Sequence, residues 1–209
     1  MEIINTKISG LRGRGFNDTN RMIEKFPAIL GLGFENIDTK ISGLKDRGFS
    51  NPGKMIEKSP SVLYFGFENI DDKLSGLKDR GFSDPHKMIE RFPEILSFGF
   101  ENIDKKIRLL DLLNRTYQLK LNPVSVIEQN PIILGSKFEK LIVIARVLRE
   151  YQPSVEDIKR KINMLYKINI ESLLLAHSEK KPNDTIDNLT NKAKLIQKEK
   201  VPKNEKKTN

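Results

Sequence analysis

The chain has no cysteine and only two histidines. Disulfides, thiol nucleophiles and zinc sites built on Cys are therefore excluded, and the composition suits a reducing compartment. His86 and His177 each lack a second ligand at metal-binding spacing. No apolar run approaches the roughly 20 residues that cross a bilayer. The opening Met1-Glu2-Ile3-Ile4-Asn5 has neither a basic leader region nor an Arg-rich amphipathic presequence. A cytoplasmic location is expected for the sequence as it stands, or a mitochondrial or other organellar one if it is a mature form. Catalytic groupings are lacking too. Asp71 and Asp72 are adjacent, point to different faces of a helix and read as first-turn charge complementing the helix dipole. Gly13-Arg14-Gly15 follows no strand and so makes no phosphate cradle. The expectation is a non-enzyme with no cofactor and no metal.

What is abundant is self-similarity. Glu68 to Phe100 reads ENIDDKLSGLKDRGFSDPHKMIERFPEILSFGF, and Glu35 to Phe67 reads ENIDTKISGLKDRGFSNPGKMIEKSPSVLYFGF, thirty-three residues earlier. A third copy runs from Glu2 to Phe34 and a fourth opens at Glu101. A fixed period of this length marks an array whose units bury their apolar faces only by stacking.

Each copy starts with an amphipathic stripe, Ile37, Ile41 and Leu44 in the second copy, spaced for one helix face. Gly48-Phe49 then ends the helix, with Gly in the left-handed conformation and the apolar residue folded back; Gly15-Phe16 and Gly81-Phe82 repeat the device. Ser50-Asn51-Pro52 and Ser83-Asp84-Pro85 read as a Ser N-cap and a first-turn Pro. A short second helix follows, closed by Pro27, Pro60 or Pro93. That Pro opens a short third turn, and Gly66-Phe67 closes the unit. From Pro93 to Pro131 is thirty-eight residues, so the fourth copy carries an insertion of five. A divergent fifth copy has Phe138, Leu141, Ile142, Ala145 and Leu148 on one helix face, a capping box at Ser154 and Asp157, and a closing helix with Ile170, Leu173 and Leu174.

The expected organisation is all-α: an α-solenoid over residues 1–177, with repeats at 2–34, 35–67, 68–100, 101–137 and 138–177. Residues 178–209 are too polar to offset ordering entropy and read as a disordered basic tail, with transient helix near Leu189 to Leu195. Net charge is +9, from 28 basic and 23 acidic residues in 1–177 and 9 and 5 in 178–209, so the repeats are only weakly basic.

A helix ending in Lys-x-x-Gly-Phe-Ser, a short helix ending in Phe-Pro, and then Pro-x-Ile-Leu resembles the repeat of the mitochondrial transcription termination factor family. The carriers are Leu77, Gly81, Phe82, Ser83, Met88, Ile89, Phe92, Pro93, Ile95 and Leu96 with their counterparts in the first two copies. The resemblance implies two α-helices and a 3₁₀ turn per unit in a left-handed superhelix. It also implies binding of double-stranded DNA or structured RNA along a basic groove, in transcription termination, its regulation, or RNA and ribosome assembly.

A helical wheel at about 100° per residue places Lys40 and Arg47 on one flank of the first helix. Lys7 and Arg14, Lys73 and Arg80, and Lys106 take the same flank in the other copies, and stacking would align them into a phosphate-binding ladder. The second helix offers another row: Arg21 and Lys25, Lys54 and Lys58, Lys87 and Arg91. Such contacts release counterions and weaken with salt. Phe16, Phe49 and Phe82 fit the core better than base stacking. A monomer is expected. The alternative is a protein–protein scaffold on the same solenoid, favoured by the near-neutral repeat body.

Overall fold

The computed structural model describes residues 2–119, 121–151, 155–179 and 184–199. Those residues form twelve α-helices and four 3₁₀ turns, with no strand among them. They divide into two compact units, 1–103 and 104–209.

The first unit holds three copies of one motif. These are α1 (Glu2–Gly13), α2 (Thr19–Lys25) and the 3₁₀ turn Pro27–Gly31; α3 (Phe34–Asp46), α4 (Pro52–Lys58) and Pro60–Tyr64; α5 (Phe67–Asp79), α6 (Pro85–Arg91) and Pro93–Ser97. The glycine caps form as the sequence implies. Gly48 has φ +86°, its N–H donates to the Lys45 carbonyl at 2.9 Å, and the Phe49 N–H donates to Leu44 at 3.1 Å. Phe16, Phe49 and Phe82 are buried beside Leu11, Leu44 and Leu77. Met22, Met55 and Met88 with Ile29, Val62 and Ile95 complete the core of each copy.

Two local expectations are corrected. Phe67, expected to close a repeat, is the first residue of α5, as Phe34 is of α3. The N-caps are Asp18, Asn51 and Asp84, the last two each one residue after the expected Ser50 and Ser83. Only Asp84 of these caps with its side chain, accepting from Lys87 N–H at 3.0 Å. The other two copies are capped from the following repeat. Glu57 accepts the N–H groups of Asn17 and Asp18, both at 2.6 Å, and Glu90 accepts those of Ser50 and Asn51.

A fourth motif comprises α7 (Phe100–Tyr117), α8 (Pro123–Gln129) and Pro131–Gly135. Its insertion lengthens the first helix. Gln118, φ 52°, stands where Gly81 stands, fifteen residues after Ile103 against eleven from Ile70 to Gly81. Four added residues are about one helical turn, so the buried face is kept. Helices α9 (Phe138–Tyr151), α10 (Val155–Tyr166) and α11 (Ile170–Ser178) follow with no fifth 3₁₀ turn among the described residues. The α9 face is rotated from expectation: Leu141, Ala145 and Leu148 are buried with Ile144 and Val147, whereas Phe138 and Ile142 are exposed. Leu174 is exposed as well, and Ser154 lies outside the described residues.

The expected disordered tail is corrected over 184–199, where α12 (Ile186–Glu199) packs on α9, α10 and α11. Ile186, Leu189 and Ala193 are buried, and nearly buried Lys161 holds Asp187 at 2.6 Å. Three small or branched apolar residues at helical spacing, plus that ion pair, are sufficient to dock a segment whose average composition is polar. Residues 180–183 and 200–209 of that expected tail lie outside the described ones.

Candidate nucleic-acid interface

The first-helix lysines are turned inward, each at its own joint. Lys7, Lys40, Lys73 and Lys106 are only 6%, 8%, 7% and 2% exposed. Each ammonium donates to the backbone carbonyl just past its own repeat's 3₁₀ turn: Leu32, Phe65, Phe98 and Ser136. Each also lies over the ring of the Phe that opens the next helix, 4.0–4.4 Å from the centroids of Phe34, Phe67, Phe100 and Phe138. Burial lowers the pKa of all four. In the first three a neighbouring arginine lowers it further, whereas Glu139 opposes the shift at Lys106.

The arginines of that flank serve the same joint. Arg14 grips Asp38 with two bonds of 2.7 Å, and Arg47 grips Asp71 at 2.8 and 3.0 Å. These paired forks hold the Asp38 carboxyl below, and the Arg14 guanidinium above, their ordinary ranges. Arg14, Arg47 and Arg80 also bond the carbonyls of Gly10, Gly43 and Gly76 at 2.8–3.0 Å and lie 4.2–4.3 Å from the same Phe rings. The glycines are required. A Cβ there would sit 2.1–2.2 Å from Phe34, Phe67 or Phe100 Cζ. Lys7, Arg14, Lys40, Arg47, Lys73, Arg80 and Lys106 are therefore joint residues, a correction to the expected phosphate ladder. A single-helix wheel has one core direction; a helix inside a stack is covered by the next repeat too, and this flank is the one covered.

The second-helix row is exposed. Lys25 and Lys58 reach forward to the carbonyls of Lys58 and Arg91, the last residues of the following second helices α4 and α6. Arg21 is 3.9 Å from Asp18. Lys54 and Lys87 are exposed and their ammonium groups pair with no other described residue. Arg91 is also exposed. Among the nearby acids, Glu57 and Glu90 are consumed as backbone caps, which leaves this helix's outer edge positive.

A third set of cations, one per copy, lies outside the residues that the sequence singled out. Arg12, Lys45 and Lys78, at the ends of α1, α3 and α5, are exposed and their side chains pair with no other described residue. Lys78 borders a cleft lined also by Leu74, Ser75, Ser83, Asp84, Pro85 and His86, between the end of α5 and the start of α6. His86 is half-buried. Its Nε2 donates to the Arg47 carbonyl at 2.9 Å and its ring meets Phe49 edge-on at 5.2 Å.

Helix–helix–3₁₀ motifs joined by a repeated lysine, aromatic and glycine contact define an all-α helical-repeat protein of the α-solenoid class. A family model, mTERF, matches residues 2–152, and the chain belongs to that family. A comparison with curated proteins finds no match. Among the described residues no group of His, Cys, Asp or Glu is placed to hold a metal ion, and no helix is long and apolar enough to cross a membrane.

Proposed function

We propose that this chain is a non-enzymatic nucleic-acid-binding repeat protein that holds double-stranded DNA or structured RNA through backbone phosphates. Family membership supports the class of partner. The observation that carries the reading is the outer edge of the second helices. Arg21, Lys54 and Lys87 recur on it at one position per repeat, while the adjacent Glu57 and Glu90 are occupied by backbone N–H groups. An acid already bonded to two amides offsets little of a neighbouring cation's attraction for phosphate. Lysine and arginine at such positions neutralise phosphates with release of counterions, so affinity falls as salt rises. Reading of base edges forms no part of the proposal.

The test is binding of the full chain to a mixed-sequence DNA duplex and to an RNA hairpin over a salt series. The triple reversal Arg21→Glu, Lys54→Glu and Lys87→Glu is expected to abolish retention with helicity unchanged by circular dichroism. Retention equal to the parent chain would remove this edge from the interface, and no binding of either probe by the parent chain would end the nucleic-acid reading.

A further inference from the structure

The first three repeats contain a substitution experiment made by duplication. Each has five cations at the same five positions: 7, 12, 14, 21 and 25, then the same plus 33 and plus 66. At two of these the residue type never changes: Lys at 7, 40 and 73, Arg at 14, 47 and 80. Those are the joint residues, where a point ammonium must fit between a ring and a carbonyl and a planar fork must meet a carboxylate or carbonyl. Arg and Lys are not interchangeable in such geometry. At 12, 45 and 78 the residues are Arg, Lys and Lys, and at 21, 54 and 87 again Arg, Lys and Lys. There the type drifts and the sign is kept.

Drift without loss of sign is not what exposure alone produces in this array. The next position along the first helix, 13, 46 and 79, reads Gly, Asp, Asp. The exposed position on the 3₁₀ turn, 31, 64 and 97, reads Gly, Tyr, Ser. Position 20, 53 and 86 reads Asn, Gly, His. Residue class varies at these three positions, and charge stays positive at 12, 45 and 78, where no described side-chain contact employs it. These cations lie in the last turns of α1, α3 and α5, where positive charge complements the helix dipole, and being exposed they also exert a long-range attraction for an anion, a field effect equally indifferent to the shape of the cation. Asp46 and Asp79 sit about 100° round the helix from Lys45 and Lys78, and Asp84 shares the cleft with Lys78 while capping α6, so the row faces acids without being paired by them.

We infer that Arg12, Lys45 and Lys78 form a second phosphate-contact row, on the edge where each first helix turns into the second. This rests on the nucleic-acid reading above and extends it. The polyanion is contacted along the helix–helix turns of successive repeats, by this row and by Arg21, Lys54 and Lys87, and the flank carrying Lys40 and Arg47 contributes nothing directly. Because only charge is kept, the contact is to the phosphodiester backbone and carries no sequence preference.

The full chain with Arg12→Gln, Lys45→Gln and Lys78→Gln is compared with the parent on the same DNA duplex and RNA hairpin. For the duplex the slope of log affinity against log salt is expected to become shallower by about 0.9 per lost contact, hence by about 2 to 3 in the triple variant. The charge-keeping triple Arg12→Lys, Lys45→Arg and Lys78→Arg should retain the parent slope. A parent chain that binds with a slope unaltered by the Gln triple overturns this inference and leaves the nucleic-acid reading standing. A parent chain that binds neither probe overturns both. Loss of binding in the charge-keeping triple would also overturn it, because shape rather than charge would then be at work.

Discussion

The joints carried by Lys7, Lys40 and Lys73 and the joint carried by Lys106 begin alike and finish differently. All four set a buried ammonium over the first Phe of the following helix. In the first three a glycine lies three residues on and an arginine seven residues on, so the Phe seats against backbone under a guanidinium. After Lys106 the same positions are Leu109 and Leu113, and Ile142 stands where Asp38 and Asp71 stand in their helices. The charged fork has been exchanged for aliphatic side chains. The exchange removes the desolvation cost of ions and also the directional contact that fixes the ring. Accordingly Phe138 is 40% and Ile142 41% exposed. A cavity of about 20 Å³ lies among Leu113, Leu141, Ala145 and other apolar neighbours. One architecture thus accepts either a specific polar joint or a less exact apolar one.

The sharpest way to break the comparison is to deny the ring its seat. Gly43→Ala puts a methyl 2.2 Å from Phe67 Cζ and should cost about 3 kcal/mol, the upper end of overpacking. Gly53→Ala, on α4 with open space around it, should instead stabilise by up to about 1 kcal/mol through helix propensity. Urea midpoints of the two variants should move in opposite directions; movement in the same direction would refute the knob-in-glycine description.

A smaller effect separates the two kinds of joint. Lys73→Met leaves the Phe98 carbonyl without its donor, a loss of about 1 to 2 kcal/mol, partly offset because Arg80 no longer faces a like charge. Lys106 has no such arginine beside it, and Glu139 favours its charge, so Lys106→Met should cost more, about 2 to 3 kcal/mol. Local amide exchange near Phe98 and near Ser136 reports each loss, and equal losses would mean that the arginine has no bearing on the lysine.

The smallest effect is acid sensitivity. The Asp38 carboxyl is held below its ordinary 3.8 by Arg14, so the pair's contribution is complete above that value and disappears as pH falls through the lowered one. Asp38→Asn should flatten the first unit's stability profile in that window alone. A profile parallel to the parent's would show that the fork adds nothing to the joint.

Much of the fold was legible in the sequence because the array repeats its own text. The helix ends at Gly15, Gly48 and Gly81, the prolines that open the 3₁₀ turns, and the burial of Phe16, Phe49 and Phe82 all follow from local chemistry. The site was less legible. Lys40 and Lys45 differ on a wheel only by flank, and nothing within one repeat says which flank its neighbour covers. The signal that separates them lies in the comparison of copies: residue type is fixed where a cation is built into the joint and drifts at the exposed positions. Docking of α12 was hidden for a related reason, since composition averages over a helix and burial selects one face of it.

By itself the sequence determined the period, the helical class and the hydrophobic interior of each unit, because turns, caps and apolar spacing act over a few residues. Only the tertiary structure decided which charges face water. A lysine becomes structural when a ring and a carbonyl from distant parts of the chain close around it. That enclosure depends on stacking, which no single repeat contains.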